Sequence, residues 1–190
     1  MLSVVIATHD HERALLSTLA ALVPGAVAGI VYEVIVADSG SSDATAQIAE
    51  AAGCRILIAS AGRGARLKSA AAVARAEWLL FLCPGFLPDA DWIDQTRHFV
   101  EEVELRGRAD SEAALFAMRA TRFRPALSDA WAMLRVVLSR RSDARQGMLI
   151  AKSHYDALGG HRDVDEPERD LFRRLGRRHV VFLWGGTARK

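Results

Sequence analysis

Cysteine is scarce in this 190-residue chain. Cys54 and Cys83 stand alone, with no CxxC pair and no Cys/His spacing. That excludes a disulfide scaffold and a thiolate zinc site, and predicts two buried, reduced thiols. Internal repeats, low-complexity runs and linkers are also missing, so residues 1–190 are expected to form a single domain with a core of ordinary size. The opening segment MLSVVIATHDHER lacks a long hydrophobic run and meets His9, Asp10 and His11 too soon for a signal peptide or membrane span. Cytoplasmic synthesis and retention are therefore expected. There is neither a GxGxxG nor a Walker loop, which removes the fingerprints of nicotinamide and P-loop proteins. Nucleic acid is not an expected partner, because the arginines are not interleaved with aromatics and no nucleic-acid module signature occurs.

What the chain does have is arginine, and it is unevenly placed. Residues 1–110 hold 9 Lys and Arg against 14 Asp and Glu, a balance of −5; residues 111–190 hold 16 against 9, a balance of +7. The basic half suits either an anionic partner or a solvated surface. Within it, ALSDAWAMLRVVLSRR spaces Leu127, Trp131, Leu134 and Leu138 by four, three and four residues, an amphipathic helix. Arg119, Arg122 and Arg124 precede it, and Arg140, Arg141 and Arg145 follow. It is expected either to dock on the core or to lie on an anionic membrane surface, which would place the protein peripherally at the inner membrane.

Short apolar runs alternate with segments of helical length. Leu2 to Ala7, Glu33 to Ala37, Arg55 to Ala59 and Trp78 to Leu82 read as parallel strands covered on both faces; His11 to Val23, Asp43 to Ala52 and Arg63 to Ala76 read as the helices between them. This series predicts an α/β fold with a mostly parallel, doubly wound sheet. Ser42 and Asp43 are suited to cap the second helix, with Gly53 past its end. Beyond these, a helix over Pro88 to Leu105 and strands over Ala113 to Met118 and Gln146 to Ala151 are expected.

Loops at the carboxyl ends of the four strands should share one crevice: ATHDHER, ADSGSSD, ASAGRGARLK and LCPGFLPD. Asp38 ends a strand, where its carboxylate suits a base or ribose, or the capping of its own turn. In GRGAR, Arg63 and Arg66 sit among Gly62 and Gly64 at a helix mouth, a phosphate-binding arrangement or a glycine turn with solvated arginines. In GGHRDVDEPERDLFRRLGRR, the five carboxylates Asp163, Asp165, Glu166, Glu168 and Asp170 precede or open a helix with a basic tail, which complements the helix dipole. One of them could instead be a general base.

Taken in order, these motifs resemble a family 2 glycosyltransferase of the GT-A fold, closest to a small bacterial subgroup associated with radical SAM and selenodomain proteins. SVVIATHDHE, EVIVADSGSSDATAQIAEAAG, GRGARLKSAAAVARAEWLLFL, QGMLIAKSHYDALGGHRD and ERDLFRRLGR carry the likeness along nearly the whole chain. It implies a nucleotide-diphosphate sugar bound by residues 1–110, with the base near Ala7, His9 and Asp38 and the diphosphate near Arg63, Arg66 and Lys68. Residues 111–190 would face an unidentified acceptor. It further implies inverting transfer, with a carboxylate base and a divalent metal, magnesium or manganese.

The chain departs from that pattern at three places. The family's metal carboxylate falls at Gly85, within Cys83-Pro84-Gly85; its Glu-Asp pair aligns with Pro167-Glu168, leaving Glu168 as the base; and its third-helix Asn and Gly appear as Lys68 and Ala70. Without that ligand, Arg63, Arg66 and Lys68 would supply the missing positive charge in a metal-independent enzyme. Alternatively the chain is a non-catalytic nucleotide- or anion-binding protein. A third route has Asp89 and Asp91 reach a metal through a rearranged loop.

Overall fold

A computed structural model describes residues 1–116 and 147–183. The order of elements is β1 (Leu2–Thr8), α1 (Glu12–Val27), β2 (Val31–Asp38), α2 (Thr45–Ala51), β3 (Arg55–Ile58), α3 (Arg63–Val73), β4 (Trp78–Leu82), α4 (Trp92–Leu105), β5 (Ala113–Phe116), β6 (Gly147–Ala151), α5 (Lys152–Ala157), α6 (Pro167–Leu175) and β7 (Val180–Leu183). The strands form one seven-stranded sheet in the order β3-β2-β1-β4-β6-β5-β7. Among the described strands β6 alone runs antiparallel to its neighbours, β4 and β5. The expected mostly parallel α/β sheet is therefore present.

Near-continuous apolar strands are buried from both sides, and alternate residues serve different layers. Val4, Ile6, Val36, Leu80 and Leu149 pack with α1, α2 and α4; Val5, Ala7, Ile35, Leu79 and Ile150 pack with α3, α5 and α6. A one-residue slip in any central strand would exchange these two sets, so register is strongly specified. Register brings Thr8 opposite Asp38 where β1 and β2 end together.

Several boundaries differ from the sequence reading for identifiable reasons. Helix α1 continues through Pro24 to Val27, although proline removes one backbone donor. Tertiary docking compensates: Gly25 lies so close beneath the Trp92 ring that a Cβ there would come within 2.5 Å of it. Helix α2 starts at Thr45, where Asp43 accepts the Thr45 amide at 2.9 Å; Gly53, at φ +73°, ends it as expected. Helix α3 stops at Val73, and its last carbonyls are closed by a lysine: Nζ of Lys152 donates to Ala71 at 2.8 Å and Ala74 at 2.9 Å. Helix α4 begins at Trp92, because residues from Pro88 onward form a turn in which the Trp92 amide donates to the Asp89 carbonyl. Strand β7, a four-residue apolar run VVFL, was not expected; it pairs with β5. The Arg-flanked amphipathic helix, Met118 and Gln146 lie outside the described residues. Among the described residues no helix is long and apolar enough to cross a membrane.

Candidate active site

The tips of β1 and β2 are tied together by a network that starts at Asp38. Its carboxylate is buried and accepts from four donors: the Thr8 hydroxyl at 2.8 Å, the Ser41 hydroxyl, the Gly40 amide at 2.9 Å and the Ser41 amide at 2.6 Å. Burial alone would raise its pKa, but these bonds outweigh it and hold the group below the ordinary aspartate value. Of the two readings left open by position, the geometry matches turn capping, since two donors already fill each carboxylate oxygen. Asp10 does similar work from the other loop. Held at φ +51°, it accepts the Ser42 amide at 2.7 Å, while Asp43 accepts the Glu12 amide at 3.1 Å and Glu12 accepts the Ala44 amide at 3.2 Å. Sequence reasoning missed Asp10 in this role, because its partners lie more than thirty residues away.

Arg66 is drawn into the same frame and away from solvent. Its Nη1 donates to the carbonyls of Thr8 at 2.7 Å and Ala37 at 2.9 Å, and Nε donates to Ala61 at 3.2 Å. The side chain is buried, and burial together with nearby Arg63 lowers its pKa. Arg66 therefore ties the strand ends together through their carbonyls and is not the solvated arginine of the glycine-turn alternative. Ala7 is likewise buried, paired with Ala37. His9, just past the end of β1, is exposed. Lys68 is exposed on α3, five residues beyond Arg63 and so about 140° around the helix. It does not share Arg63's side of the helix.

Arg63, at the start of α3, reaches Glu168 in the first turn of α6, 105 positions later. Both Nε and an Nη2 nitrogen lie 2.6 Å from the same glutamate oxygen, and Nη2 also donates to Sγ of Cys83 at 3.1 Å. The pair is partly shielded, with 33% of the Arg63 side chain and 15% of the Glu168 side chain exposed. Burial opposes the arginine's charge, yet Glu168 and Cys83 more than offset it and hold its pKa above the usual value. The two residues assigned separately to the diphosphate and to the base are thus in direct contact.

The mouth of α3 is crowded. A Cβ on Gly62 would lie 1.9 Å from Oδ1 of Asp163, and a Cβ on Gly64 would lie 1.9 Å from the Arg162 carbonyl oxygen. The glycines of GRG therefore admit the 162–163 segment onto the start of the helix, a demand that a phosphate-loop reading does not include. Under this segment His161 is buried, with its pKa pushed down to about 3 by burial and by the charges of Arg63 and Arg174.

At the tip of β4, Gly85 adopts φ +86°, and its amide donates to the Thr18 hydroxyl at 2.8 Å and the Ala14 carbonyl at 3.1 Å. A Cβ there would lie 3.7 Å from Cβ of Ala14, so this position faces α1. Cys83 is the tripeptide member that touches Arg63. Both cysteines are half-buried rather than fully buried, and neither is in a disulfide; burial pushes the Cys54 thiol up to about 11. Asp89 borders a small pocket with Phe86, Trp92 and Leu183, and Asp91 sits at the start of α4 without capping it through its side chain. Among the described residues no group of three His, Cys, Asp or Glu side chains is arranged to hold a metal.

Three comparisons bear on this arrangement. A family model described as Glycosyl transferase family 2 matches residues 3–101. Glucosyl-3-phosphoglycerate synthase from Mycobacterium tuberculosis, solved with Mn2+, UDP-glucose and phosphoglyceric acid, superposes with a TM-score of 0.67 at 20% identity, over 98% of this chain and 70% of that one. Its complex with Mn2+, UDP and glucosyl-3-phosphoglycerate gives 0.65 at 20% identity, over 97% and 69%. TarS from S. aureus, residues 1–349, gives 0.68 at 17% identity, over 96% of this chain and 57% of that one. At these identities the likeness is one of fold. No curated protein matches the chain.

Proposed function

Because the chain belongs to glycosyl transferase family 2, we propose that it transfers a sugar from a nucleotide-diphosphate sugar to an acceptor, with inversion at the anomeric carbon. The observation that carries this reading, beside the family, is the meeting of Arg63 and Glu168 at the carboxyl ends of the strands. There a cation suited to a diphosphate and a carboxylate suited to a hydroxyl proton stand side by side. Residues 1–110 hold the donor and residues 111–190 face the acceptor. The order of GRGARLKSAAAVARAEWLLFL and QGMLIAKSHYDALGGHRD supports the radical SAM and selenodomain-associated subgroup.

In the reaction, Arg63 binds the diphosphate through its guanidinium, with His9 beside the nucleotide. Glu168 takes the proton of an acceptor hydroxyl as that oxygen attacks the anomeric carbon from the face opposite the diphosphate. The bond from that carbon to the donor's phosphate oxygen breaks, and its electron pair leaves with the nucleoside diphosphate. Arg63 offsets the charge that develops there. Solved relatives contain Mn2+, but the donor set at this β4 tip fits a hard divalent ion poorly. It offers the Cys83 thiol beside a guanidinium, where such an ion prefers oxygen ligands and is repelled by the cation. No step is therefore assigned to a metal.

The test is a transfer and hydrolysis assay across UDP- and GDP-sugars, with and without EDTA. Turnover should persist in EDTA and fall by two orders of magnitude or more in Glu168→Gln. A strict need for a divalent ion would refute the metal-independent form. A second reading, a nucleotide- or anion-binding protein without turnover, draws on the same ion pair, since Arg63 is already neutralised by Glu168. Tight binding of UDP or GDP with no turnover on any sugar nucleotide would establish it. Its membrane-associated form rests on the arginine-flanked helix outside the described residues, and sedimentation with anionic liposomes tests it.

A further inference from the structure

Resting on that reading of the crevice, we infer that Glu168 is a built-in competitor for the donor's diphosphate at Arg63. Donor binding is then the event that releases the carboxylate to act on an acceptor. Three observations combine. The Arg63 guanidinium spends Nε and Nη2 on Glu168, so an incoming phosphate and the carboxylate want the same donors. The neighbouring helix mouth is roofed by the 162–163 segment, with the Asp163 carboxylate against Gly62, so an internal anion also covers the route by which phosphate would reach the start of α3.

The third observation is that the exchange needs little backbone motion. Helix α6 is held by Leu171, Phe172 and Leu175 in the core, and by Arg174, which reaches the carbonyls of Leu158 and Gly160. Glu168 lies in the first turn, where its side chain can turn away while the helix stays docked. Residues 162–166 are exposed, preceded by Gly159 and Gly160 at φ +79° and +67°, where the chain bends in a region that favours glycine.

The consequence is an order of events. Without donor, Glu168 is paired and unavailable as a base; with diphosphate on Arg63, the carboxylate is freed near the reacting carbon. Release of the base only on donor arrival confines proton abstraction to the loaded site.

Calorimetric titration of the full chain with UDP, and separately with inorganic pyrophosphate, tests this. Glu168→Gln should tighten both by about fivefold or more, since about fivefold is the upper range for an exposed ion pair and this one is partly shielded. Arg63→Gln should weaken both, and adding Glu168→Gln to it should restore nothing. Thermal melts of each variant report folding. As a check free of mutation, a UDP complex of the unaltered protein should show phosphate oxygens on the Arg63 guanidinium and Glu168 moved off it. Unchanged or weaker UDP binding in Glu168→Gln, while the parent protein binds UDP, overturns the exchange and leaves the transferase reading standing. Pyrophosphate tightened by Glu168→Gln with no UDP binding at all supports the exchange and removes the nucleotide reading. Absence of binding by both ligands in both proteins removes both.

Discussion

The hydroxyl of Tyr155 accepts the backbone N–H of His161 at 2.9 Å and lies 3.0 Å from the Nδ1 of the same residue. The hydroxyl thus binds both the backbone and the ring of His161, whose other nitrogen is Nε2. That Nε2 is buried without a partner among the described residues. The ring packs edge-on to Phe81, 4.7 Å between centroids. A second ring proton would place a charge in this buried site, facing the positive charges of Arg63 and Arg174 with only Asp170 in favour.

Stability should therefore fall on acidification well before the carboxylates titrate. A histidine held near 3 when folded takes up its proton only in the unfolded chain between about pH 6.5 and 3, so the unfolded state gains there. The loss is about 1.4 kcal/mol per pH unit, or about 2 kcal/mol at pH 5 relative to pH 8. His161→Phe keeps the ring contact and should remove this part of the slope. His154, also buried and held below its usual value, supplies a remainder that persists in the variant. Urea melts at pH 8 and pH 5 for both proteins check the difference; parallel pH profiles would count against a neutral His161.

Asp38→Asn should cost stability rather than only ligand affinity. The amide would present two donors to a site that already supplies four, leaving buried polar groups unpaired at a cost of about 3 kcal/mol. A melt reduced by several degrees checks this. Unaltered stability together with lost nucleotide binding would return Asp38 to the donor site.

Gly64→Ala should be worse than Gly62→Ala. Each gains up to about 1 kcal/mol of helix propensity or reduced chain entropy, but at Gly64 the new methyl meets the Arg162 carbonyl of the backbone. At Gly62 it meets the end of the Asp163 side chain, which can swing aside. Overpacking of about 1–3 kcal/mol is expected at Gly64, and a near-neutral change at Gly62. Equal denaturation midpoints for the two variants would contradict the roofed helix mouth.

The sheet was legible because its strands are short, apolar and buried from both sides, a pattern that local sequence carries by itself. Strand β7 escaped notice because four apolar residues after RRLGRRH are equally a helix end or a loop. Site residues divided along the same line. Arg63 and Glu168 were identifiable by type and motif order, but their contact across 105 positions was not. Arg66 looked like Arg63 in the sequence; only the fold shows that it faces the carbonyls of Thr8 and Ala37. Asp163, Cys83 and His161 acquire their roles from loops packed together in space, for which no spacing rule exists.

The conformation of Gly85 narrows what can replace it. Its φ of +86° would strain any side chain placed there, and the direction of a new Cβ is toward Ala14 rather than toward Cys83 and Arg63. A single Gly85→Asp replacement would therefore deliver a carboxylate to the wrong side of its own turn. Bringing a carboxylate to the side of Cys83 and Arg63 would take a rebuilt tripeptide and the surrender of two anchoring bonds to α1.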